Sequence, residues 1–415
     1  MLVFNSVRHE TVFMNNPVIV TISRTPIGRA FKGSLVQERP DDMLAFILKD
    51  VLEKTTGLEI GEIDDIIVGC GLPGGDQGFN IARVSAVLNG WNEVSATTVN
   101  RYCASSVQAM ATAAGHISAG YGSAYLVGGV ESASSFLKGS SDSIEGSMNP
   151  KFEEAQARSY HSANAGSAPW EESKGLPDVY IAMGLTAENV ADEYGITREQ
   201  MDEFALSSQQ RCEAAINRGF YENEITPYTL ADGTVIDSDE SPRSGSTIEG
   251  MQGLKPAFRA DGRVTAGNAC PLNDGAAAVV VMSEDKANAL SLEPLARIVG
   301  VASTGLNPEI MGVGPIEAVK KVLAQTNLKI SDIDHVELNE AFAAQVIPCM
   351  NELGIDREKL NINGGAIALG HPFGMTGVRI MGTLLNGMKE NNSRYGLETM
   401  CVGGGQGMAM IVERF

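Results

Sequence analysis

The sequence predicts an α/β protein in which one β/α unit is used twice. Three observations predict it. Short apolar strand patterns alternate with helical patterns through the first 130 residues and again after about residue 330. Three segments of the later stretch match three of the earlier one in order: Ile333-Asp-His-Val-Glu-Leu-Asn-Glu340 resembles Ile63-Asp-Asp-Ile-Ile-Val-Gly69; Leu369-Gly-His-Pro372 opens a helix as Asn100-Arg-Tyr-Cys-Ala-Ser-Ser106 does; and Glu398-Thr-Met-Cys-Val-Gly-Gly404 echoes Val127-Gly-Gly129. Between the two stretches lies a long segment of different character, which reads as an insertion at about 131–263. The expected halves are 1–285, carrying the insertion, and 286–415.

Taken in order, Pro17-Val-Ile-Val-Thr-Ile22 is a strand, and the Pro and Gly of Arg24-Thr-Pro-Ile-Gly28 mark a turn. Asp41 to Lys54 places Met43, Leu44, Ile47, Val51 and Leu52 at helical spacing, with Asp41 or Asp42 as cap. Ile63 to Gly69 is a strand, Asn80 to Leu88 a helix, and Ala96 to Val99 a second strand. A small-residue helix follows from Ser106 to Ala119, then a buried strand from Ala124 to Gly129. Ser132 to Asp178 is rich in Ser, Gly, Ala and charge without a sustained period, and is expected to be a long functional loop. Met183 to Glu193 and Thr197 to Arg218 read as amphipathic helices, the second opened by a capping box of Thr197 and Gln200. Asp232-Gly233 signals a hairpin. Near the C-terminus, Thr376 to Leu385 is helical and Met408 to Val412 closes the sheet.

Composition narrows the function. The 415 residues are 43% hydrophobic and 20% charged, with a net charge of −20. So acidic a chain is a poor general binder of nucleic acid or anionic membrane, and no apolar run approaches the ~20 residues that span a bilayer. Six cysteines without a CxxC pair fit free thiols in a reducing compartment better than a disulfide framework or a zinc module. Met1 to Met14 lacks the apolar core of a secretory signal and the acid-poor make-up of a transit peptide, and reads as a frayed tail on a cytoplasmic protein, with an organellar address as the alternative.

Cys103 lies between a strand and a helix start, where the partial positive charge of the helix end favours thiolate. By itself a free cysteine is more often a small buried hydrophobe. The internal repeat changes its weight, because equivalent helix starts on either side of a two-fold axis bring Cys103 opposite His371, whose imidazole can take a thiol proton. Cys401 precedes the glycine-rich Val402-Gly-Gly-Gly-Gln-Gly407, a turn that leaves N–H groups free for an oxyanion. Asn339, at a strand end, can orient a water or donate to a carbonyl.

Seven motifs in one order resemble the thiolase family: Arg24-Thr-Pro-Ile-Gly28, Cys103-Ala-Ser-Ser, Met183-Gly-Leu-Thr-Ala-Glu-Asn-Val190, Thr265-Ala-Gly-Asn268 with Asn273-Asp-Gly-Ala-Ala277, Asn339-Glu-Ala-Phe, Gly370-His-Pro372 and Cys401-Val-Gly-Gly-Gly405. The resemblance covers about Pro17 to Glu413. It implies a thiolase fold, with layers in the order α-β-α-β-α and an inserted loop domain, and a homodimer or homotetramer. The implied activity is reversible thiolysis of 3-ketoacyl-CoA, or the reverse condensation, through an acyl-cysteine. Cys103 would be the nucleophile, His371 its activator and Cys401 the acid/base at the α-carbon. Asn339, through a water, and His371 would form one oxyanion hole; the N–H groups of Cys103 and Gly403 would form the other. Coenzyme A, here a substrate, would lie against Met183, Ala266, Cys270 and Phe342, with no other cofactor and no metal. Lys255 and Arg259 are candidates for its phosphates from charge alone, with a solvated surface as the competing reading. Family members dedicated to acetoacetyl-CoA commonly carry a His where this chain has Ala182, which leaves room for a longer or branched acyl group. The alternatives are an acetoacetyl-CoA-forming acetyltransferase, a ketoacyl synthase-like condensing enzyme and a non-catalytic CoA-binding scaffold.

Overall fold

In the computed structural model, residues 15–139, 144–165 and 169–415 are described. The tail at Met1 to Met14 falls outside them. Strand β1 (Pro17–Arg24) and the two-residue β2 (Gly28–Arg29) lead to helix α1 (Pro40–Lys54). Pro40 occupies the first helical position, where its fixed φ and missing N–H cost nothing. The helix therefore starts ahead of Asp41 and Asp42, which lie in its first turn rather than capping it. There follow β3 (Asp65–Cys70), α2 (Ile81–Leu88, capped by the Asn80 side chain), β4 (Ala96–Val99), α3 (Ser105–Ala119) and β5 (Ala124–Ser132).

The chain then leaves the sheet. Where a long irregular loop was expected, the structure has 3-10 turns at Ala133–Lys138 and Pro150–Phe152 and a helix, α4 (Glu153–Ala165). Asn149 caps this stretch and Glu153 and Glu154 face its start. Its apolar period is hidden because only one of its described side chains, Ala155, is fully buried. Next come α5 (Met183–Glu193) and α6 (Arg198–Asn217), the latter with the Thr197–Gln200 capping box in place. The expected hairpin pairs β6 (Tyr228–Thr229) with β7 (Val235–Ile236), Gly233 taking the left-handed φ of +87° that its turn requires. Helix α7 (Ile248–Gln252) precedes the return.

The return is β8 (Asn273–Ser283), followed by α8 (Glu284–Ala289), β9 (Ala296–Gly305), α9 (Gly314–Thr326), β10 (His335–Leu338), α10 (Ala343–Leu353), α11 (Ala366–Leu369), α12 (Thr376–Glu390), β11 (Tyr395–Val402) and β12 (Gln406–Glu413). Strand β8 pairs antiparallel with both β5 and β1, so the excursion from 133 to 272 begins and ends on neighbouring strands.

The strand order is β4-β3-β5-β8-β1 continuing into β9-β12-β11-β10. On one side β3 and β5 are parallel, with β8 and β1 antiparallel in turn. On the other, β10 and β11 are parallel, with β12 and β9 antiparallel in turn. The parallel β3–β4 pairing has its counterpart in the parallel bridge of Val336 to Leu360. The two sets meet at Val18–Arg297 and Ile19–Ala296, where β1 and β9 pair antiparallel. The unit read twice in the sequence is thus present twice in the fold.

Alternating side chains sort into layers, as a period of two requires. Ile67, Val127 and Val279 from one half and Met400, Met408 and Met410 from the other close on Val107 and Met110 of α3 and on Val378, Met381 and Leu384 of α12. The opposite faces bury Ile66, Val68 and Leu126 under α1 and α2, and Val336, Leu397 and Ile411 under α9 and α10. The order α-β-α-β-α follows. Its central layer brings the starts of α3 and α12 together.

Candidate active site

Cys103 lies in a one-turn 3-10 segment, Tyr102–Ala104, that runs into α3. The turn is locked locally. Tyr102 adopts φ +43°, and its N–H donates to the Asn100 side chain at 2.8 Å. The Ser105 hydroxyl accepts from the Arg101 N–H at 2.9 Å and donates to the Tyr102 carbonyl at 2.6 Å. The turn packs against β11 and α12, both from the second half of the chain. The backbone N–H groups of Cys103 itself and of Gly403 lie close enough to the sulfur to favour its thiolate. Burial nevertheless pushes the thiol up to about 12, with the Glu131 carboxylate adding to the shift. The helix end does not produce a resting thiolate as the sequence led one to expect, because removal from water outweighs the N–H donors.

His371 follows Gly370, whose φ of +110° and contact with Asn273 exclude a side chain: a Cβ there would lie 2.4 Å from the Asn273 Oδ1. The His371 N–H donates to that same oxygen at 3.1 Å, and Asn273 in turn donates to the Gly28 carbonyl at 2.9 Å. The ring nitrogens are distinguished by their partners. The Thr376 hydroxyl gives its hydrogen to the Pro372 carbonyl at 2.8 Å, so at 2.6 Å from Nδ1 it accepts. Nδ1 therefore carries the proton and Nε2 the lone pair. Nε2 meets the Asn339 Nδ2 at 3.3 Å. Burial, with the Arg379 charge behind it, lowers the imidazole from its ordinary 6.5 to about 3. The group is a neutral base.

Asn339 ends β10, its N–H donating to the Thr399 carbonyl at 3.0 Å, and its Oδ1 is buried with no partner among the described residues. Cys401 is fully buried near the end of β11, opposite Gly407 of β12, and Gly404 and Gly405 turn the chain at φ +74° and +81°. Burial raises its thiol well above the usual range, and the sulfurs of Cys103, Cys349 and Cys270 raise it further. Arg101 holds the Gln406 side chain at 2.8 Å, and Gln406 holds the Gly403 carbonyl at 3.2 Å, bracing the turn that carries the Gly403 N–H.

Of the expected coenzyme A contacts, Met183 begins α5 half-buried, Ala266 is exposed and Cys270 is half-buried with its N–H on the Ala341 carbonyl at 3.0 Å. Phe342 is buried, with Phe258 edge-on to it at 6.0 Å. Lys255 is exposed. Arg259 is neither solvated nor free: it is buried against Asp192 at 2.7 Å, with Glu188 and Asp261 within 3.8 and 3.4 Å. Asn273, Thr376, Arg101 and Gln406, which hold the His371 loop and the turn around Gly403 in place, escaped the sequence reading of the site. Asn273 stood inside a quoted motif, but nothing in a single sequence marks Thr376 as the partner of an imidazole five residues earlier. Among the described residues no helix is long and apolar enough to cross a membrane, and no three His, Cys, Asp or Glu side chains group to hold a metal.

The chain matches two family profiles end to end: "Thiolase, N-terminal domain" over residues 17–285 and "Thiolase, C-terminal domain" over 292–414. It is 42% identical to a 3-ketoacyl-CoA thiolase of Bacillus subtilis, over 96% of this chain and 100% of the relative. It is also 42% identical to a beta-ketoadipyl-CoA thiolase of Acinetobacter baylyi, over 97% of this chain and 100% of that one. Among solved structures, human mitochondrial 3-ketoacyl-CoA thiolase in complex with CoA superposes with a TM-score of 0.84 at 34% identity, covering 97% of this chain and 98% of the other.

Proposed function

The chain belongs to the thiolase family, and from that premise we propose that it cleaves 3-ketoacyl-CoA with coenzyme A to acetyl-CoA and a shortened acyl-CoA, and runs the reverse condensation. The observation that carries the reading is the Cys103 sulfur facing the N–H groups of Cys103 and Gly403 with the Cys401 sulfur near it, and the His371–Asn339 pair on a loop whose Phe373 packs on Gly71 together with Tyr102.

The steps follow from that geometry. Nε2 of His371 takes the Cys103 proton, and the thiolate attacks the C3 carbonyl of the substrate. The N–H groups of Cys103 and Gly403 receive the negative charge that forms on that oxygen. The C2–C3 bond then breaks, leaving acyl-Cys103 and the enolate of acetyl-CoA. Asn339, through a water, and the protonated His371 face the enolate oxygen, and Cys401 gives its proton to C2. In the second half-reaction the Cys401 thiolate takes the proton of coenzyme A, whose sulfur attacks the acyl group. Cys103 leaves as thiolate and recovers its proton from His371. The resting Cys103–His371 pair is neutral, so the ion pair forms only as the substrate is attacked.

Coenzyme A is read as running past Met183, Ala266, Cys270 and Phe342, with Lys255 toward its phosphates and Arg259 acting instead to hold the loop to α5. The halves divide at about residue 285, and the chain works in the cytoplasm as a homodimer or homotetramer; the half-exposed edge strand β4 offers one surface for pairing. Ala182 is exposed at the start of α5 and leaves space for a long or branched acyl group. Acetyl-CoA release measured across 3-ketoacyl-CoA chain lengths, with acyl-Cys103 trapped and weighed, tests the reading. Turnover without an acyl-enzyme, or none on any chain length, would overturn it.

A further inference from the structure

The Glu131 side chain, at the end of β5, is wholly buried and accepts four hydrogen bonds. Its Oε2 takes the N–H of Gly71 at 2.7 Å and of Gly374 at 2.8 Å; its Oε1 takes the N–H of Leu72 at 3.1 Å and the Gln77 amide at 3.2 Å. Gln77 is itself held, since its Oε1 accepts from the Ser132 N–H at 2.6 Å. Gly71 and Leu72 continue β3, in the half of the chain that carries Cys103. Gly374 belongs to the loop between His371 and α12, in the other half. The backbones touch at this point. A Cβ on Gly374 would lie 2.3 Å from the Val130 carbonyl oxygen, and one on Gly129 would lie 2.1 Å from the Gly374 carbonyl oxygen. Phe373, between the two glycine contacts and the imidazole, sets its ring edge-on to His371 at 5.0 Å.

We propose that Glu131 is a positioning residue for acyl transfer: its carboxylate ties the His371 loop of one half to the β3 turn of the other, and so sets where the imidazole stands relative to the Cys103 sulfur. The inference rests on the thiolytic reading given above. Burial pushes the Glu131 carboxyl up to about 7, and the four donors work against that shift by favouring the ionised, acceptor-only form. A Gln side chain in the same place would turn its NH2 toward two of them, whichever way it faced. Removing the charge also relieves the burden on Cys103, whose thiol the Glu131 carboxylate pushes upward. Charge and position therefore predict opposite outcomes. Were Glu131 only a nearby charge, its loss would make Cys103 more reactive; as a tether, its loss makes Cys103 less reactive.

The experiment uses the full-length chain with Glu131→Gln and Glu131→Asp, the second keeping the charge but drawing the carboxylate back by one methylene. In folded protein, kcat for thiolysis is expected to fall about tenfold or more with KM within about twofold, since the change shifts the imidazole and not the groups that hold the substrate's handle. Alkylation of Cys103 by iodoacetamide should slow in both variants, less in Glu131→Asp. Unchanged kcat, faster alkylation, or a loss of activity that only tracks the folded fraction would overturn the proposal. Failure of both variants to fold would overturn it as well, by making the role structural. Wild-type protein assayed alongside separates the two claims: if it forms acyl-Cys103 while the variants lose nothing, the tether is wrong and the thiolytic reading stands.

Discussion

Nε2 of His371 and Nδ2 of Asn339 stand 3.3 Å apart, the amide on one side of a lone pair that the proposed path also turns to a thiol. Asn339 comes from the end of β10 and His371 from the loop before α12, so the pair is assembled within the second half of the chain. The sulfur that the proposed path assigns to it, Cys103, comes from the first. With the imidazole lowered to about 3 and the Cys103 thiol raised to about 12, both groups are neutral at rest, and on the proposed path the proton crosses only as substrate is attacked. Preorganisation of the imidazole thus carries more weight than its basicity.

Thr376→Val tests that point. The valine keeps the shape of threonine but leaves Nδ1–H without a partner in a buried place, while the Pro372 carbonyl keeps the backbone N–H of residue 376 at 3.0 Å. The tautomer that offers Nε2 as acceptor loses its advantage, and kcat is expected to fall about tenfold with KM little changed. Steady-state kinetics checks this; equal losses in Thr376→Ser, which retains the hydroxyl, would contradict it.

His371 also ties stability to pH. Its folded value of about 3 lies below the ordinary 6.5, so on acidification the unfolded chain takes a proton that the folded imidazole refuses. Stability from this group is complete above pH 6.5 and is lost as pH falls toward 3, by about 2 kcal/mol between pH 6.5 and 5. Glu131 works in the other sense, since burial raises it to about 7 and its ionisation costs stability as pH rises from 4.5. Urea unfolding of wild type and His371→Gln at pH 7 and pH 5 isolates the histidine. The variant should show the smaller loss on acidification.

How far the sequence could be read depended on the range of the interaction. The duplicated strands and the helices α3 and α12 declare themselves by local period, and Cys103, His371, Cys401 and Asn339 by the motifs around them. Strand β8 went unread although Ala276 to Met282 is one apolar run, because a strand buried on both faces shows no alternation. The state of Cys103 was also misread: its helix end is local, but the burial that overrides it comes from elements hundreds of residues away. The Arg259 pairing with Asp192 and the Glu131 tether to Gly374 are contacts between remote segments, and nothing at either end of them announces the partner.

Arg24 gives a stability test outside the chemistry. It is 2% exposed, bonded to Glu224 at 3.1 Å and to Asp239 at 2.7 Å, and so joins β1 to the inserted segment. Arg24→Met fills similar volume but leaves two buried carboxylates without their cation, a loss of about 3–5 kcal/mol. Thermal unfolding should register it, and Glu224→Gln in the same chain should recover part. Additive losses in the double variant would show that the pair is not coupled.

The two sulfurs are separated by which step each one slows. Cys103→Ala removes the only atom to which the acyl group is bound in the proposed path, while alanine keeps the turn, whose hydrogen bonds come from Asn100 and Ser105 rather than the thiol. No acyl-enzyme should form, in a protein that still unfolds at the wild-type temperature. Cys401→Ala leaves the nucleophile and both of its N–H donors in place, so mixing with acyl-CoA should still acylate Cys103. What it removes is the proton carrier at C2. Exchange of the acetyl-CoA α-protons with deuterated solvent should then drop by about 100-fold or more, the usual weight of a general acid or base. Acylation should change by much less, and equal losses in both steps would mean that Cys401 shapes the pocket rather than moving the proton.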